Sequence, residues 1–176
     1  YAAARGPTPP SSFALYRYAP GPTQSTGTWI GLPADVSGST TGLTVFNNEL
    51  YITGRFSRAA TPSVYFQVAK LNAAGTDLIP LPSLSASSTA NGAIAFNGSL
   101  YAYGAFSGAP LPAGSANIVK LSADGTGLTP VYAQGTSSAI DLAAGTLVFL
   151  NDNTSRPNEL FALDLASGAV RQLTHF

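Results

Sequence analysis

Apolar and polar positions alternate with a period of two through most of this chain, in short runs separated by turn-forming residues. Val, Ile, Tyr, Phe and Thr dominate these runs, as in "ELYITGRFS" and "SLYAYGAFS". A period of two puts successive side chains on opposite faces of an extended backbone, so the pattern predicts half-buried β-strands. No segment shows the spacing of an amphipathic helix. Asn47-Asn48 and Asn97-Gly98 each separate two apolar runs. Both pairs tolerate the positive φ values that a two-residue hairpin turn demands. Ala144-Gly145 takes the same place further along, and Ala74-Gly75, Asp124-Gly125 and Ser167-Gly168 mark a second set of tight turns.

The runs repeat. "GLTVFNNELYITGRFS" (42–57) matches "GAIAFNGSLYAYGAFS" (92–107), and "YFQVAKLNAAGTDLIPL" (65–81) matches "ANIVKLSADGTGLTPV" (116–131). Looser copies are "FALYRYAPGPTQSTGTW" (13–29) and "LFALDLASGAVRQLT" (160–174). Anchored on Arg17, Lys70, Lys120 and Asp164, the copies stand 53, 50 and 44 residues apart. Each copy is predicted to hold four strands, A to D. The first full unit has A 42–47, B 49–56, C 63–72 and D 76–82. The second has A 92–97, B 99–106, C 116–123 and D 126–132; the third has A 138–144, B 146–151, C 159–166 and D 169–175. A partial unit precedes them, with the end of B at 1–5, C at 13–19 and D at 27–32. The chain therefore divides into 1–33, 34–83, 84–134 and 135–176.

Four-stranded units of this length, with second strands "LYITGRF" and "LYAYGAF", resemble the blades of kelch-like β-propellers. The resemblance implies an all-β fold of antiparallel blades, in which an aromatic-rich strand ends in glycine beside a central channel. Trp29 is similar to the tryptophan near the fourth strand of such repeats. Two departures stand out: the paired glycines are reduced to Gly54 and Gly104, and Trp29 has no later counterpart. The last unit looks closer to the propeller repeats of Tol-type proteins. These motifs are architectural and bring no catalytic residues with them. A β-sandwich is the plain alternative, and the repeat period argues against it. A propeller hides its sheet edges by closing a ring, typically of four to eight blades. Three units and a remnant thus imply a partial ring or a segment of a larger propeller. The Tyr1 start and the absence of Met carry the same expectation of a processed or partial product.

Composition narrows the function. Eight basic and eight acidic residues give zero net charge, and charged residues are only 9% of the chain. That excludes the basic footprint of nucleic-acid binding. No run approaches the 18 or so apolar residues of a membrane-spanning helix. With no Cys and one His, thiol chemistry, disulfides and multi-histidine metal sites are excluded, and no cofactor is implied. Gly-x-Ser-x-Gly and phosphate-cradling glycine motifs are absent, and His175 reads as an ordinary residue at a strand end. "Asn151-Asp152-Asn153" is similar to part of a calcium loop but lacks its Gly and terminal Glu. No two acids occupy equivalent positions in adjacent units, as a repeat-built pair of catalytic carboxylates would.

Binding is then expected on loops, which a rigid scaffold presents. In a blade, the B–C and D–A loops emerge on one side, and the tight A–B and C–D turns on the other. The long loops are 5–12, 57–63, 107–115 and 151–158, with D–A connections at 33–41 and 84–91. Arg5, Arg55, Arg58, Asp152 and Arg156 fall on or beside them and are the candidate ligand-binding residues, with Asp35 and Glu159 nearby. The bland reading is that Pro-rich loops seal the ring and the arginines are solvated. Arg17, Lys70 and Lys120 read as covering residues on strand C, with Asp164 in the same position of the last unit. Asn97-Gly98-Ser99 and Asn153-Thr154-Ser155 match the N-glycosylation pattern, which matters only in a secreted eukaryotic protein.

The expectation is a non-catalytic, extracytoplasmic module that binds a protein partner or its own remaining propeller blades. A propeller enzyme acting on sugars or peptides, with its catalytic groups in missing blades, is the first alternative. The second is a lectin in which Tyr1, Trp29 and Tyr103 stack on carbohydrate. Most aromatics, including Phe46, Tyr51, Phe66, Phe96 and Tyr101, instead sit in strands and read as core.

Overall fold

The computed structural model describes residues 2–5, 13–16, 35–81, 87–108, 111, 115–122, 127–133, 136–143, 145–153 and 156–175. Among them, β1 (Ala2–Arg5) and β2 (Phe13–Tyr16) form a two-stranded ladder. Three four-stranded antiparallel sheets follow. The first holds β3 (Val36–Phe46), β4 (Glu49–Arg58), β5 (Thr61–Leu71) and β6 (Leu78–Pro80). The second holds β7 (Thr89–Phe96), β8 (Ser99–Ser107), β9 (Ser115–Leu121) and β10 (Leu128–Tyr132). The third holds β11 (Thr136–Ala143), β12 (Thr146–Asn153), β13 (Arg156–Asp164) and β14 (Val170–Gln172). In each sheet strand order equals chain order, a meander. The fold is all-β, and the predicted strands A to D of each full unit are present.

The turn chemistry explains the registers. Asn47 and Asn48 have φ of 50° and 61°, and Asn97 and Gly98 have 44° and 68°, as a primed hairpin turn requires. Phe46 therefore pairs with Glu49, and Phe96 with Ser99. Each glycine expected to end its strand instead sits inside it, at a bulge. Register slips between Thr53 and Phe56 in β4, and between Tyr103 and Phe106 in β8. A Cβ at Gly54 would run into the Ser39 carbonyl oxygen, and one at Gly104 into that of Thr89. Only glycine lets the neighbouring strand approach so closely there. Bulges bend a strand and increase its twist.

The sheets stack through their first strands. β7 lies against β3 and β4, and β11 lies against β7 and β8. Thr41 Oγ1 donates to the Ala90 carbonyl at 2.6 Å and Thr44 Oγ1 to that of Ala93 at 2.7 Å, tying the first sheet to the second. Alternation along the second strand decides which core each side chain joins. Leu50, Ile52 and Phe56 fill a cluster belonging to the first sheet alone, with Val36, Phe66, Ala69, Leu71 and Leu78. Their counterparts Leu100, Ala102 and Phe106 pack with Phe46, Tyr51 and Val68 between the first two sheets. Tyr101 faces the other way, joining Ile118, Tyr132, Leu147, Phe149 and Leu163 between the second and third. Burying a side chain the size of Leu147 or Phe149 stabilises by roughly 1.5–3 kcal/mol.

Candidate functional site

Two of the expected long loops are mostly strand. The segment 57–63 is a hairpin in which β4 runs to Arg58 and β5 starts at Thr61, so only residues 59 and 60 turn. In 151–158, β12 reaches Asn153 and β13 begins at Arg156. The connections 33–41 and 84–91 are likewise shortened, because β3 starts at Val36 and β7 at Thr89. Polar Ser in two of these segments bonds to its opposite neighbour. Ser37 and Ser57 hydroxyls lie 3.1 Å apart, and Ser107 N donates to Ser88 Oγ at 2.9 Å.

Arg58 is a structural residue. Its Nη1 donates to Asp35 Oδ2 at 3.0 Å, and its Nη2 donates to Asp77 Oδ1 at 2.9 Å and to the Leu78 carbonyl at 2.6 Å. The Asp77 hydrogen bond, working with that of Asp35 and against partial burial, holds the guanidinium above its ordinary pKa. In a flat sheet the Arg58 and Tyr51 rungs, the latter level with Lys70 and Ile79, would stand about 23 Å apart along β4, at ~3.3 Å per residue. That is far beyond the reach of one side chain. The first sheet therefore coils at its bulges, and the β4–β5 hairpin folds back towards the β5–β6 turn. In the first sheet the B–C hairpin and the C–D turn, expected on opposite sides, are joined by Arg58 and Asp77.

Arg55 has a different setting. It is exposed, and its guanidinium carbon lies 3.9 Å from the centre of the half-buried Tyr65 ring. Val64, half exposed, follows the same hairpin. Val64 and Tyr65 carry only a strand signal in the sequence; their position across the hairpin from Arg55 is what brings them to it. Arg5 pairs through its backbone with Phe13, Asp152 with Thr136 and Arg156 with Asn153, while their side chains lie outside the described residues. Glu159 is buried and accepts from Thr174 Oγ1. Of the five candidates only Arg55 and Arg58 have described side chains, and these two part: Arg58 is committed to Asp35 and Asp77, and Arg55 is exposed beside Tyr65.

The recurrent strand-C position also changes. Lys70 pairs across the ladder with Tyr51, and Lys120 with Tyr101, but Asp164 pairs with Thr146. Backbone bonds show its true equivalents. Asn72 N donates to Asp77 O, Ser122 N to Gly127 O and Asp164 N to Ala169 O, at 2.9, 3.0 and 2.9 Å. Asp164 is therefore the counterpart of Asn72 and Ser122, and Ala162 occupies the lysine position. All three cap their turn: Asn72 Oδ1 accepts from Thr76 N, Ser122 Oγ from Gly127 N, and Asp164 Oδ1 from Ala166 N and Ser167 N. Those N–H groups hold Asp164 below the ordinary carboxylate pKa. Anchoring by charge placed Asp164 two residues out of step.

Lys70 bonds within its own sheet, Nζ donating to Glu49 Oε1 at 2.8 Å, while the Tyr51 hydroxyl donates to Glu49 Oε2 at 3.1 Å. Lys70 holds Glu49 below its ordinary pKa, opposed by desolvation. Burial, and then the Glu49 carboxylate, pushes the Tyr51 phenol up to about 12. Tyr103, a candidate sugar platform, is half-buried and its ring lies against the backbone of Gly92. Tyr1 and Trp29 lie outside the described residues. Among the described residues no three His, Asp or Glu gather as a metal site requires, and no helix is long and apolar enough to cross a membrane. No protein-family model matches this chain, and no curated protein is significantly similar to it.

Proposed function

We propose that the chain is a segment of a β-propeller that serves outside the cytoplasm as a non-catalytic protein-interaction or structural module. The observation that carries this reading is the succession of meander sheets, stacked through β3, β7 and β11. Such stacking is the way a blade hides both faces, and it supports the kelch-like resemblance. The interaction surface is the β4–β5 hairpin. Arg55 and Tyr65 there are residue types enriched at protein interfaces, and the exposed Val64 lies beside them. Arg58, ion-paired to Asp35 and Asp77 beside the hairpin's turn, ties that hairpin down.

The test is chemical cross-linking of the chain in an extract of its source organism, with partners identified by mass spectrometry. Arg55→Ala should reduce capture of the identified partner about tenfold, the loss of a modest hot spot, with an unchanged circular dichroism spectrum. Equal capture by the variant would remove the hairpin assignment. Sequence flanking the chain in its gene that lacks further four-strand units would contradict the propeller.

A further inference from the structure

The internal repeat supplies its own control for a second site. In the first sheet one carboxylate, that of Glu49, sits between two donors on neighbouring strands, Lys70 Nζ and the Tyr51 hydroxyl. The second sheet repeats both donors at the matching rung, where Tyr101 pairs with Lys120. The third member differs: Ser99 stands where Glu49 does, each opening its strand after the hairpin turn. Lys120 is exposed, and among the described residues no carboxylate lies within ion-pair distance of it. A cleft of about 350 Å³ opens at this place, lined by Asn97, Ser99, Tyr101 and Lys120 and walled from the third sheet by Gly145 and Asp164.

We propose that this cleft binds a small carboxylate that carries a hydrogen-bond donor on the adjacent carbon, an α-amino or α-hydroxy acid. The ligand carboxylate takes the place between Lys120 and Tyr101 that Glu49 fills one sheet earlier, and its donor turns to Asp164. The volume lies within the range of small-molecule sites. A charge-assisted hydrogen bond to Lys120 supplies more than a neutral one would. The opposing Asp164 disfavours a phosphate or other dianion, because like charges repel across the cleft. An α-amino group relieves that repulsion.

The test is a two-dimensional NMR titration of the full chain with glycine, acetate and methylammonium chloride. Glycine should shift the amides of Ser99, Gly145 and Ala166 with a millimolar dissociation constant, acetate should bind several-fold more weakly, and methylammonium should leave them unmoved. Ser99→Glu rebuilds the carboxylate within the chain and should weaken glycine binding about tenfold or more. Lys120→Gln should do the same, and the remaining amide spectrum of each variant reports an intact fold. Glycine that moves none of these amides would overturn the proposal. So would wild-type affinity in both variants, or acetate binding as tightly as glycine.

Discussion

The first and second sheets carry almost the same second strand, "ELYITGRFS" and "SLYAYGAFS", yet they use it differently. Both bend at one glycine bulge, and both put Phe two residues later into a core. The first sheet coils over a cluster of its own and locks the coil with Arg58, whose partners are Asp35 and Asp77. In the second sheet Gly108 and Gly127 replace Arg58 and Asp77, the hairpin opens into a longer loop, and both faces serve neighbouring sheets. A shared strand pattern thus sets the bulge, while the ion pairs of Arg58 that hold the ends of the first sheet together have no counterpart at Gly108 and Gly127.

The largest effect is expected from core truncation. Phe56→Ala and Phe149→Ala should each cost about 4 kcal/mol in urea unfolding, since both rings are fully buried. If only the first sheet's cluster were well packed, Phe149→Ala would cost far less. Next, Gly54→Ala and Gly104→Ala should destabilise by about 3 kcal/mol each, because the added Cβ meets a backbone carbonyl in both. Unequal losses would show that the two bends are not equivalent. Arg58→Ala should cost about 1–2 kcal/mol by leaving Asp35, Asp77 and the Leu78 carbonyl without their donor. A loss near zero would mean that the coil needs no lock.

The smallest effect is electrostatic. Glu49 has its pKa lowered in the folded state from an ordinary 4.5, so its pairing with Lys70 adds stability above that value. The contribution disappears as pH falls through the lower, folded-state pKa. Thermal unfolding across the acid range should show this dependence in the wild type and a flatter profile in Glu49→Gln. Ser99→Ala in the second sheet should leave the profile unchanged.

Much of this fold was legible in the sequence, and the reason is local. Turn residues such as Asn47-Asn48 and Asn97-Gly98 tolerate the positive φ that most residues resist, so they marked the hairpins and the strands beside them. Strand ends were less legible. Ser37 and Ser57 read as loop by polarity, but they pair across the β3–β4 ladder, and Ser88 bonds Ser107 just outside β7. Asp164 resembled Lys70 and Lys120 only in being charged, while its turn-capping role aligned it with Asn72 and Ser122. The candidate site was hardest to read. Coiling of the first sheet brings Arg58 to Asp77, a contact set by tertiary geometry that no spacing along the chain announces.

Packing of the second sheet on the third is read most simply at the contact between Tyr132 and Phe149. Their rings meet edge to face, with centres 4.8 Å apart. A double-mutant cycle with Tyr132→Leu and Phe149→Leu, read by urea unfolding, should give a coupling of about 1 kcal/mol. Additive losses, with a coupling of zero, would contradict the stacking.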